Sequence, residues 1–280
     1  MAQVDFTRIA SNIGALNALN SLRDVNNKLS LHQTRLATGK RINSAMDDPA
    51  GLTIANKLNA RSEGMKTALS NIGGAKNLLS VAESGLSKIN GILTNMRNLA
   101  QQGMNDTLGS AERTAIKTQL TAYEEQIDDT LKQTKWNGQH LISTAASKVF
   151  TFQTGADSGD TTQFTGVGIT SSEVGLGLSS GTLTSVGSTF GTYMGNVDTA
   201  MTTISSKLSN VGALMSKMTF KEEQLAVSQV NVEGAYNRIM NADMAQEQLE
   251  ATKFSILQQT SITMLSQANA APQGILSLFR

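Results

Sequence analysis

The residue types able to do acid–base or metal chemistry are sparse in this 280-residue chain: His32 and His140, and the adjacent carboxylates Asp47-Asp48, Glu124-Glu125 and Asp128-Asp129. Their spacing does not support such chemistry. The two histidines lie far apart in sequence with no ligand-like spacing around them, so a surface or packing role is expected for each. Asp47 and Asp48 precede Pro49 and Gly51 in RINSAMDDPAGLTIA (41–55), where carboxylates suit the positive end of a starting helix. The other two pairs sit on the flank of a helical pattern and are expected to face solvent. No G-x-S-x-G, H-E-x-x-H or G-x-x-x-x-G-K-[ST] occurs. Cysteine is absent, which removes disulfides and thiolate metal sites. No catalytic, cofactor-binding or metal-ligating residue is assigned, no cofactor is expected, and the chain reads as a non-enzyme.

The composition describes long helices instead. Aromatics are 4% and prolines number 2, thin material for a compact globular core, so packing must rest on Leu, Ile, Met and Ala. A net charge of +1 argues against a nucleic-acid surface. MAQVDFTRIASNIGALNALN lacks the features of a secretory signal, and no run of about 18 apolar residues predicts a membrane span. Residues alone would therefore predict a soluble cytoplasmic protein. The first helix is expected over 4–37, with Phe6, Ile9, Ile13, Leu16, Leu19, Leu22, Val25 and Leu29 on one stripe. A single-striped helix of this length needs a partner helix. Gly39 is expected to end it in the left-handed conformation. Asn43 or Ser44 can cap the next helix, and Pro49 suits its first turn.

The most regular pattern runs from Met65 through Ala68, Ile72, Ala75, Leu79, Ala82, Leu86, Ile89, Leu93 and Met96 to Ala100. Its steps alternate three and four without a miss, which predicts a heptad seam roughly 50 Å long. A further helix is expected over 110–134, with Ile116, Leu120, Tyr123, Ile127 and Leu131 inward, ending at a turn on Asn137-Gly138. Residues 144–195 change character to Ser, Thr and Gly. Within them VFTFQT (149–154) and TTQFTGVGI (161–169) predict a hairpin around GADSGD, the remainder being a small β or loop excursion. Helical period returns at Val197 and persists past Met240, until Pro272 is expected to stop it. Folding the chain at the insert would bring its first and last helices together.

The sequence resembles the bacterial flagellins. RLATGKRINSAMDDPAGLTIA is close to their N-terminal signature, and KTALSNIGGAKNLLSVAESGLSKINGILTNMRNLA to their first long outer helix. QTKWNGQHLI is similar to their QTxFNGxxLL-like turn, FTFQTGADSGD to their first hairpin, and LEATKFSILQQTSITMLSQANAAPQGILSLFR to their terminal helix. The resemblance covers about 1–165 and 195–280. It implies a mainly α fold: a long coiled-coil helical rod with a small β-hairpin insertion. Residues 1–42 with 241–280 would form the terminal coiled coil called D0. Residues 43–240 would form the rod D1, with no room for outer D2 and D3 domains.

The implied function is structural: a subunit that self-assembles into the flagellar filament for motility. The implied partners are other flagellin subunits, a cytoplasmic export chaperone, the flagellar type III export apparatus, and the filament cap and hook-associated proteins. Neither nucleic acid nor membrane insertion is among them. The location becomes extracellular, without a cleaved signal. Phe6, Ile9, Ile13, Leu16, Leu19, Phe254, Leu257 and Leu265 would make the D0 assembly interface. Arg41, Asn43, Asp47, Asp48 and Gly51 would link D0 to D1 and touch adjacent subunits. Ile72, Leu79, Leu86, Ile89, Leu93 and Met96 would hold the D1 seam. Some flagellins are recognised by the animal Toll-like receptor 5 through a stretch of the form QRVRELAV. Here TNMRNLAQ keeps Arg97 and Leu99, but Asn95 replaces the key arginine and Gln119 a contacting glutamate, so weak recognition is expected. A hook–filament junction protein or a long-helix signalling adaptor is the alternative reading.

Overall fold

The computed structural model describes residues 12–143, 148–168, 178–184 and 186–278. Phe6, Ile9 and part of the 144–195 insert therefore lie outside the described residues. Two compact units are formed, one from 1–60 with 231–280, the other from 61–230. The helices α2 (Pro49–Gly103) and α4 (Gly187–Met240) supply residues to both.

In the first unit, α1 (Ile13–Thr38) runs antiparallel to α5 (Met244–Leu278). Asn12 starts α1, its side chain accepting the Ala15 N–H at 2.9 Å. Gly39 ends it at φ 69°, its N–H donating to the Arg35 carbonyl, as the sequence predicts. Asp243 starts α5 by accepting the N–H groups of Ala245 and Gln246 at 3.0 and 3.3 Å. Contacts along the pair include Asn12 Nδ2 to the Ala268 carbonyl at 2.7 Å and Gln258 Nε2 to Asn26 Oδ1 at 2.7 Å.

Two expectations need correction here. Asp48, directly before Pro49, caps α2, its Oδ1 accepting the Gly51 N–H at 2.8 Å. Asn43 and Ser44 do not; they are themselves held by Asp47. Two long helices follow the insert, a break at 241–243 separating α4 from α5. Pro272 does not stop α5, which continues to Leu278, because a proline removes one ladder bond without obliging the chain to turn.

The second unit holds the core. Every seam position from Met65 to Ala100 is buried. Opposite it stand α3 (Ser110–Gln133), through Leu120, Ile127 and Leu131, and α4, through Val197, Ala200, Ile204, Val211 and Met218. Ion pairs Lys76–Glu222 and Arg97–Asp198, at 2.8 and 2.7 Å, show α2 and α4 running antiparallel. Gly103 closes α2 against α4: a Cβ there would collide with the Phe190 ring. The first turn of α4 starts at Gly187, earlier than the Val197 read from the pattern, so the insert is partly helical. Its early residues Phe190 and Tyr193 are among the largest fully buried side chains.

The strands are short. β1 (Lys135–Trp136) and β2 (Gln139–His140) pair antiparallel across Asn137 (φ 47°) and Gly138 (φ 75°), the left-handed pair that a two-residue hairpin turn requires. β3 (Ile142–Ser143) runs parallel to β6 (Val167–Gly168). The predicted hairpin is β4 (Val149–Gln153) with β5 (Thr161–Thr165), Phe150 standing opposite Phe164. Among the described residues the fold is thus mainly α, with long helices and small β elements.

Candidate functional site: the paired chain ends and their junction

The breaks after α1 and after α4 lie side by side in the first unit. Lys40 and Asn241 form an isolated antiparallel bridge. The Arg41 N–H donates to the Met240 carbonyl at 2.7 Å and the Ala242 N–H to the Gly39 carbonyl at 3.0 Å. The Arg41 guanidinium adds two bonds to the Ile239 carbonyl, Nε at 3.2 Å and Nη2 at 2.9 Å. A cation thereby meets a carbonyl in the last turn of α4, at the negative end of that helix. Under the junction, Ile42 is buried with Ala55 and Met240, against Leu52, Tyr236 and Ile239.

Asp47 organises the loop. One carboxylate oxygen accepts the N–H groups of Asn43 and Ser44, at 3.0 and 2.9 Å, and the Ser44 hydroxyl at 3.2 Å. The main-chain N–H groups of Ser44 and then Asn43 hold its carboxyl below the usual aspartate range. Gly51 is needed because a Cβ would strike both the Asp48 carboxylate and Ile42. Arg41, Asn43, Asp47, Asp48 and Gly51 are thus brought together. Met46, on the same loop, is 92% exposed.

Along the pair, Leu19, Phe254 and Leu265 are half-buried, while Ile13, Leu16 and Leu257 are exposed. His32 was not read as part of this surface. Its Nδ1 donates to Glu247 Oε2 at 2.5 Å, Arg35 reaches Oε1 of the same carboxylate at 3.4 Å, and the imidazole stacks on Phe254 with centroids 5.3 Å apart. The signal was present: Val25, Leu29, His32 and Leu36 continue the alternating steps of α1.

In the second unit Ile72, Leu79, Leu86, Ile89, Leu93 and Met96 share one buried cluster. Asn95 and Gln119 are exposed, Leu99 packs against the cluster, and Arg97 is engaged by Asp198 at 2.7 Å. His140 is exposed. Among the described residues no group of three metal-binding side chains converges, and no helix is long and apolar enough to cross a membrane. What this geometry offers is pairing: two helices joined by polar contacts, with apolar faces left uncovered.

Comparison with known proteins assigns both ends. The bacterial flagellin N-terminal helical region matches residues 9–147, and the C-terminal helical region matches 194–279. Flagellin of Listeria innocua is 31% identical over 286 aligned positions, covering 97% of this chain and 99% of its own. The chain belongs to the bacterial flagellin family. Flagellin of Bacillus subtilis is also 31% identical, over 98% of this chain and the whole of its own. A solved structure described as a flagellar hook-associated protein from Vibrio parahaemolyticus superposes with a TM-score of 0.59 over 70% of this chain and 100% of that one. At 18% identity it shares the flagellin-like fold and carries no more than that.

Proposed function

We propose that this flagellin-family chain is the subunit of a flagellar filament, a structural and not an enzymatic role. One observation carries the reading. The α1–α5 pair leaves Leu16, Leu249, Ile256 and Met264 each more than half exposed. Large apolar side chains at this density on one pair of helices mark a surface awaiting a partner. A subunit that meets its neighbours through two different faces, without closing a ring, builds an open helical polymer.

In this reading 1–42 with 241–280 form D0 and 43–240 form D1. Phe6, Ile9, Ile13, Leu16, Leu19, Phe254, Leu257 and Leu265 meet their counterparts within and between subunits, and the Arg41–Gly51 loop contacts the adjacent subunit. The chain leaves the cell unfolded through the flagellar type III apparatus, held beforehand by a cytoplasmic chaperone, and ends in an extracellular filament bounded by hook-associated and cap proteins. Recognition by Toll-like receptor 5 is weak, because Asn95 and Gln119 lack the charges its contact requires. The junction-protein alternative shares the fold. It is disfavoured by end-to-end similarity to proteins named flagellin.

The test is polymerisation of purified chain induced by salt and viewed by negative-stain microscopy. Filaments are expected; stable dimers would favour the adaptor reading instead. Deleting 254–280 removes most of α5, the partner of α1, and should leave a soluble, partly folded monomer that does not elongate filaments. If the truncated chain still polymerises, pairing of the ends is not what drives assembly.

A further inference from the structure

Among the described residues β5 pairs with β4 alone, and no other described strand lies against its second edge. The register fixes which groups that edge presents. The Gly166 N–H donates to the Lys148 carbonyl and the Thr154 N–H to the Asp160 carbonyl, each at 2.8 Å, on either side of the Phe150–Phe164 pair. Alternation along an antiparallel ladder then turns the main chains of Thr162 and Phe164 toward β4, and those of Gln163 and Thr165 away from it. The opposite edge, on β4, is partly occupied, since Asn71 Nδ2 reaches the Gln153 carbonyl at 3.4 Å.

Beside the free edge of β5 lies a groove of about 350 Å³ against α4. Phe164, Val211 and Leu214 give it apolar walls, while Gln163, Lys207 and Asn210 give it polar ones. Natural edge strands are usually blunted by a charge, a proline or a bulge. TTQFT carries no charge and no proline. The cation at this edge, Lys207, is half-buried and, among the described residues, has no carboxylate partner. Lys76 on α2, by contrast, pairs with Glu222.

The geometry points to β5 as a docking edge for an extended acidic peptide of a partner protein. The peptide adds a third strand by bonding to the main chains of Gln163 and Thr165. It sets an apolar side chain against the half-buried Leu214, above the buried Phe164 and Val211, and a carboxylate against Lys207. Strand addition of this kind takes affinity from main-chain bonds and selectivity from side chains at alternate positions. The edge stands in the second unit, so the inference does not depend on how the chain ends assemble.

The test uses the full-length monomeric chain and a five-residue peptide of alternating valine and aspartate, acetylated and amidated. Titration followed by amide NMR should shift and slow exchange at Gln163 and Thr165 in a saturable manner. The same peptide N-methylated on alternate amides should not bind. Lys207→Glu should weaken binding at least tenfold and favour the valine–lysine peptide. Gln163→Pro removes a donor that faces away from β4, so it should abolish binding while leaving thermal unfolding unchanged. Absence of saturable shifts, or equal binding of the N-methylated peptide, overturns the proposal. Protection of the same amides that grows with protein concentration and no peptide also overturns it, by making a second copy the occupant.

Discussion

Glu124, expected from the sequence to face solvent, instead turns inward and gathers the polar order of the second unit at one side chain. Its carboxylate accepts the Ser180 N–H at 2.8 Å, the Ser180 hydroxyl at 2.9 Å and the Tyr193 hydroxyl at 2.8 Å, tying the segment before α4 to α3. Burial, reinforced by the negative charge of Glu124, pushes the ionisation of Tyr193 far above its ordinary value. The sign follows from the raised value. The contribution is whole below about pH 10, where tyrosine in the unfolded chain is still neutral, and is lost as pH climbs beyond it. Tyr193→Phe should therefore flatten the alkaline limb of a stability–pH curve, and cost about 1–2 kcal/mol at neutral pH in denaturant unfolding through the lost bond. Leu86 poses a harsher case. It is fully buried, and Leu86→Asp would place a charge where no cation waits. A loss of about 3–5 kcal/mol and a large fall in melting temperature are expected by calorimetry. An unchanged transition would remove Leu86 from the core.

At the scale of elements, α1 and α5 pair with little burial, whereas the second unit packs around a buried core. None of the residues of α1 is fully buried. Glu247 joins His32, Arg35 and the start of α5, so Glu247→Ala should unfasten this end of the pair first. Amides of residues 28–38 should then exchange faster, with those of the seam unchanged; equal protection in both chains would reduce the carboxylate to a bystander. The same contrast explains what could be read in advance. The seam was legible because Ala and larger residues alternate from Met65 to Ala100 with nothing else to suit those positions. The hairpin was legible because VFTFQ and TTQFT alternate around turn residues. The start of α4 was not. Phe190, Tyr193, Val197, Ala200 and Ile204 do step by three and four, but Gly191 and Gly195 lower helix propensity among them and mask the rhythm. Met240 and Met244 keep the apolar spacing across the break at 241–243, so spacing alone does not mark it. At the junction Asp48 serves the helix start that the sequence predicts for both carboxylates, while Asp47 turns back to Asn43 and Ser44, a difference set by loop geometry that spacing does not encode.

At the scale of the molecule, the second unit has a closed core and the first leaves much of its apolar surface in water. In monomers too dilute to associate, α1 and α5 should exchange their amides far faster than the seam of α2, and gain protection on polymerisation. Equal protection throughout would mean that the ends need no neighbour. The order of the elements carries a further consequence for biosynthesis. More than 200 residues separate Thr38, where α1 ends, from Met244, where α5 begins. At roughly 5–20 residues per second, the ribosome takes on the order of ten to forty seconds to cover that distance. Throughout that interval the earliest helix has emerged and its match has not been made, so a newborn chain carries a greasy flank that stays uncovered until α5 is synthesised.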